Sequence, residues 1–275
     1  MMQFLRWYLK SAAAVGGTIV LLLVVAIAVL GPLYLHTGPF DLVARPFLPP
    51  SGDHLLGTDM LGRDIAAEIA YGGRTSLLIG LTSTLLSVIA GTIVGAIAGY
   101  YGGRVDDALM RLTEFFQTIP FFIFAILLVA VLTPSVKSVV IAIAVVSWPP
   151  MARLVRAEFL SMRRREFVQA SIGLGMSDMR VIFRHILPNC LTSMIVTASL
   201  MFATAILTES ALSFLGLGDP NAMSWGLMVG AGRDFLQRAP ELCVFPGLAI
   251  MITVLAINLV GEGINDALNP RLRER

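Results

Sequence analysis

Residues 153–189 read RLVRAEFLSMRRREFVQASIGLGMSDMRVIFRHILPN, a charged island between long apolar stretches. Seven of these residues are arginines: Arg153, Arg156, Arg163, Arg164, Arg165, Arg180 and Arg184. A cation at the centre of a bilayer costs roughly 2.5 to 3.5 kcal/mol on insertion scales, so the island must lie in water on one side of a membrane. The order Gln169-Ala170-Ser171, then Gly175, then Leu187-Pro188 predicts helix, turn, helix. Small residues followed by glycine suit two short helices packed closely at a tight turn, which together make a protruding knob. Ser177 is placed to cap the second helix, with Asp178 against the positive end of its dipole. Met179, Ile182, Phe183 and Ile186 follow at i, i+3, i+4 and i+7 as one apolar stripe, and Pro188, tolerated in the first turn of the following span, is expected to end the loop sharply. Two readings fit this pattern: an amphipathic helix on anionic lipid, and a docking knob for a soluble partner.

The flanking sequence defines the setting. Of 275 residues, 56% are hydrophobic and only 14% charged. A helix needs about 20 apolar residues to cross the hydrocarbon core. Six spans answer to this, at 12–35, 77–99, 119–133, 136–152, 191–212 and 243–260. The third and fourth are short, and amphipathic flanks at 105–118 and 153–162 are expected to extend them. No run alternates polar with apolar residues, which argues against a membrane barrel. The first run is too long for a cleaved signal core of roughly 7 to 15 residues and reads as an anchor, preceded by Arg6 and Lys10.

Counting Lys and Arg on alternate sides of six spans gives fourteen against six. The larger set includes Arg6, the arginine island and Arg271, Arg273 and Arg275, so both termini are expected in the cytoplasm. A formal net charge of +2 gives no reason to invoke nucleic acid. Cys190 and Cys243 lie at span edges and read as small apolar residues. The three histidines, His36, His54 and His185, have no metal-ligand spacing. No G-x-x-x-x-G-K-[ST] loop occurs, so the sequence offers no P-loop nucleotide site. A secondary transporter should show embedded ion-coupling acids and repeats, and an intramembrane hydrolase paired catalytic groups. Neither pattern is clear.

Other motifs have structural readings. Gly57-Thr58-Asp59 and Gly62-Arg63-Asp64 suit a turn and a helix cap. Asp106 and Asp107 suit a helix start near the inner surface, with a contact to a soluble partner as the alternative. Glu209 is expected as an interfacial acid near the outer end of the fifth span, with a buried proton relay as the alternative. Gly80, Gly91, Gly95 and Gly99 fall on nearly one helix face, as close helix packing requires.

The island resembles the cytoplasmic EAA loop of ATP-binding-cassette importer permeases, with Gln169 where the family has glutamate and Ser171 in place of an alanine. HLLGTDMLGRDIAAEIAYGGRTSLLIG (54–80), the stretch 98–135, ESALSFLGLGDPNAMSWGLMVG (209–230) and the stretch 244–273 resemble the dipeptide, oligopeptide and nickel permease group, C-type subunit. The resemblance implies an all-α polytopic membrane protein with an N-terminal anchor and a five-helix type I permease core. It divides the chain into a tail and anchor (1–36), an extracytoplasmic loop and amphipathic helix (37–76), the core with its loop at 153–189 (77–265) and a tail (266–275). The implied coupling residues are Gln169, Ala170, Ser171, Gly175, Ser177, Met179, Phe183, Leu187 and Pro188. The implied partners are a second permease, two ATPases that bind ATP and Mg²⁺, and an extracytoplasmic solute-binding protein. The implied membrane is the bacterial cytoplasmic membrane, and the implied solute is a peptide, with nickel or a metal chelate as the alternative.

Overall fold

The computed structural model describes residues 7–268, so Arg6 and the tail residues Arg271, Arg273 and Arg275 lie outside the described residues. Every named element among the described residues is helical. The long helices are α1 (Ala12–Tyr34), α2 (Ile65–Tyr101), α5 (Val136–Arg163), α8 (Leu187–Phe214) and α10 (Glu241–Leu268). Between them stand α3 (Gly103–Thr118), α4 (Phe121–Leu132), α6 (Glu166–Gly173), α7 (Asp178–Val181) and α9 (Trp225–Gly232).

Five of the helical stretches are long and apolar enough to cross a membrane, and α3 with α4 makes a sixth when the bent pair counts as one span. The six-span expectation holds in that form, with one correction. Residues 105–118 join the third span only across a sharp bend, because α3 and α4 meet at 85°. Pro120 has no N–H to donate and forces Ile119 into extended backbone (φ −88°, ψ 130°), so the helix stops at Thr118. The flank 153–162 does continue its span within α5.

The axis of the bundle is the pair α2 and α5. A Cβ on Gly91 would lie 2.7 Å from the Trp148 carbonyl oxygen, one on Gly95 2.4 Å from that of Ala152, and one on Gly99 2.7 Å from that of Arg156. Only glycine allows two backbones this close, and the gain is dispersion contact along the whole seam. Gly80, on the same face, meets Phe202 and Ile206 of α8 instead. α1 leans on α10 through Gly17 and on α2 through Gly31, and it leaves Leu22, Leu23 and Ile27 exposed. It is the least buried of the long helices and α5 is the most buried.

Candidate functional site

The island leaves the bundle as the end of α5 and returns as the start of α8. α6 buries Val168 and Ser171, and the Ser171 hydroxyl donates to the Phe167 carbonyl at 2.8 Å. Gly175 closes α6 in the left-handed region (φ 76°), with its N–H on the Ile172 carbonyl at 2.9 Å and the Met176 N–H on that of Ser171 at 3.2 Å. This paired closure is what a glycine just past a helix end provides. The close packing expected at Gly175 is absent: a Cβ there would meet nothing within 4 Å, and Ala170 is exposed. Glycine stands there for its backbone angle, not for space.

Ser177 holds the extended conformation of a capping residue, but its hydroxyl makes no capping bond. Asp178 instead accepts a 2.7 Å hydrogen bond from the Tyr100 hydroxyl, which ties the knob to the end of α2. The predicted stripe splits. Ile182 and Ile186 are buried with Phe159, Val168 and Val181, whereas Met179 is 62% exposed and Phe183 58%. Val181 occupies the inward face, so the buried arc is rotated away from the stripe and leaves one edge outside. Leu174, at the turn, is 80% exposed.

Pro188 stands in the first turn of α8 as expected, but the loop does not end sharply there, since residues 178–214 form one helical path. A wide π turn at Ile182–Ile186 precedes it, in which the Leu187 N–H reaches the Ile182 carbonyl. A proline lacks the N–H and its ring crowds the carbonyl four residues back; one widened turn relieves both without breaking the helix. Gln169 is exposed and donates to the Arg163 carbonyl at 2.7 Å, and Leu187 is half-buried against the core. Thus Ser171 and Leu187 anchor the knob, Gly175 shapes it, and Ala170, Ser177, Met179 and Phe183 face outward.

Beside the knob, Asp106 begins α3 as expected but is buried in an ion pair. Arg156 of α5 donates to both carboxylate oxygens, Nη2 to Oδ2 at 2.6 Å and Nε to Oδ1. A two-pronged guanidinium bond of this kind fixes the angle between the two helices. Sequence reading missed the partner, which lies 50 residues away.

At the far end of the bundle, Gly57 and Gly62 adopt positive φ, and the Asp64 carboxylate accepts from the N–H groups of Ala66 and Ala67 at the start of α2. The turn and the cap stand as expected. Glu209 does not: it is fully buried, with Oε2 accepting from Ser76 at 2.9 Å and Oε1 from Ser213 at 2.8 Å. The cover is α9, a short helix the sequence reading did not separate. Its first N–H, on Trp225, donates to Ser76, and Gly226 lies against the Ser210 backbone. Ser224, which accepts from the Leu227 N–H, was the available signal.

A family model described as the binding-protein-dependent transport system inner membrane component matches residues 91–274. The chain belongs to this family. The binding-protein-dependent permease is 42% identical over 270 residues to the dipeptide transport system permease protein DppC of Alkalihalophilus pseudofirmus, covering 96% of this chain and 88% of the relative. It is 39% identical to the oligopeptide transport system permease protein OppC of Bacillus subtilis, with the same coverage. To the glutathione transport system permease protein GsiD of Pectobacterium atrosepticum it is 38% identical over 98% of this chain and 91% of the relative. The fold is similar to that of the inward-facing MetNI methionine ABC transporter, at 18% identity and a TM-score of 0.61 over 74% of this chain and 96% of that one. The permease is thus a multi-pass inner-membrane component, and ATPase and binding-protein partners complete such a system.

Proposed function

We propose that this permease is one of two homologous membrane subunits of an ATP-driven peptide importer, and that the knob at 153–189 docks on an ATPase subunit. The peptide assignment is supported by the dipeptide, oligopeptide and glutathione permeases at 38–42% identity. The docking assignment is supported above all by Leu174, Met179 and Phe183, exposed apolar side chains on a segment whose arginines hold it out of hydrocarbon. A protein groove covers such side chains where lipid does not. In this reading Met179 and Phe183 enter the groove, Gln169, Ala170 and Ser177 line the contact, Gly175 sets the turn, and Ser171, Leu187 and Pro188 hold the knob to the bundle.

Both termini and the knob face the cytoplasm, and the segments 37–64 and 216–241 face the binding protein outside. ATP and Mg²⁺ are bound by the two ATPases, and no catalytic step belongs to this chain. When the ATPases close, the knobs move. The glycine seam between α2 and α5 carries that motion as a rigid body, so that access alternates across the bilayer. The test is reconstitution with the second permease, the ATPases and the binding protein in liposomes. ATP-dependent uptake of a labelled dipeptide that requires the binding protein is the expected result; uptake of a nickel chelate and of no peptide would contradict it.

A further inference from the structure

At the knob end of the bundle, between α3 and the last turns of α5, lies an open cavity of about 850 Å³, within the size range of small-molecule sites. α3 contributes Asp107, Arg111 and Glu114, and α5 contributes Arg153 and Arg156. Arg156 is committed to Asp106, and Arg153 donates to Gln117 at 3.0 Å. Asp107, Arg111 and Glu114 stand at i, i+4 and i+7 on one face of α3, a spacing at which opposite charges can pair. Among the described residues they form no ion pair, with each other or with anything else. Charges of both signs therefore face one open space: Asp107 is drawn to the Arg156 guanidinium without an ion-pair contact, and Arg111 and Glu114 form no ion pair. The ligand that such a space suits carries both signs itself.

We propose that this cavity is the inner vestibule of the solute path and that it receives zwitterionic peptides, with carboxylates toward Arg111 and Arg153 and ammonium groups toward Asp107 and Glu114. The proposal rests on the peptide reading above and adds where in this chain the solute is held on its way into the cytoplasm. An apolar path would present the charged peptide with a desolvation cost, whereas a wall bearing both signs offers a partner to each end.

The test uses the full complex in liposomes, with labelled Ala-Asp and Ala-Lys measured on the same preparation. The ratio of the two uptake rates cancels any loss of assembly or coupling, and the binding protein is unaltered throughout. Arg111→Glu should lower the Ala-Asp to Ala-Lys ratio at least fivefold, and Glu114→Arg should raise it by a similar factor. Should either reversal fail to assemble, Arg111→Gln and Glu114→Gln should move the ratio in the same two directions by at least twofold. Ratios unchanged within experimental scatter, or shifted the same way by both substitutions, would overturn the vestibule while leaving the peptide importer intact. If the unsubstituted complex takes up neither peptide, the peptide reading falls and the vestibule with it.

Discussion

At the scale of single residues, Gly175 carries the most consequence for coupling. Its φ of 76° costs a side-chain-bearing residue about 1–2 kcal/mol, while asparagine visits that region with less strain. Nothing within 4 Å obstructs a Cβ, so the penalty falls on the turn and not on the bundle. Gly175→Ala and Gly175→Arg are expected to reduce co-purification of the ATPases severalfold, Gly175→Asn to retain more, and all three to keep the second permease bound. Pull-down of the complex checks this, and Asn behaving no better than Ala would refute the turn argument. The sequence marked this glycine, and also Asp64 as a helix cap, because both act through backbone bonds to near neighbours. Glu209 and Asp106 were less legible. Their partners Ser76 and Arg156 lie 133 and 50 residues away, and no local pattern announces a pairing made by tertiary packing.

At the scale of elements, the seam between α2 and α5 is the stiff part of the molecule. Gly95→Leu places a side chain where even a Cβ would be 2.4 Å from a carbonyl oxygen, and overpacking of this kind typically costs about 1–3 kcal/mol. Gly16→Leu, on α1, meets nothing within 4 Å and serves as the matched control. A thiol-reactive dye that reports exposure of Cys190 on heating should show a lower Tm for Gly95→Leu and an unchanged Tm for Gly16→Leu; equal values would contradict the seam. The four-residue spacing of Gly91, Gly95 and Gly99 announced this contact, because small residues on one face have few other uses in a membrane helix. The 85° bend was not foreseen, although Pro120 stood in view, since the apolar run of α4 looked extensible by the amphipathic residues before it. The π turn before Pro188 was hidden for a related reason: a proline in a first turn reads as a fresh start, whereas one widened turn carries the helix from the knob straight into the span.

At the scale of the whole molecule, the division of cations predicts orientation. Single cysteines at Ser51 or Asn221 should react with an impermeant thiol reagent added outside cells, and one at Ser177 should not. Labelling of Ser177 from outside would reverse the topology and remove the ATPase from reach. The central claim is that the exposed apolar side chains of the knob lie in an ATPase groove, and one measurement addresses it directly. A photo-crosslinking amino acid is placed at Phe183 in the assembled transporter, with Leu22 on the exposed side of α1 as the reference position. The account predicts a covalent product with an ATPase subunit from position 183 and none from position 22. Products with lipid alone from position 183 would contradict it and make the island a surface helix on the membrane.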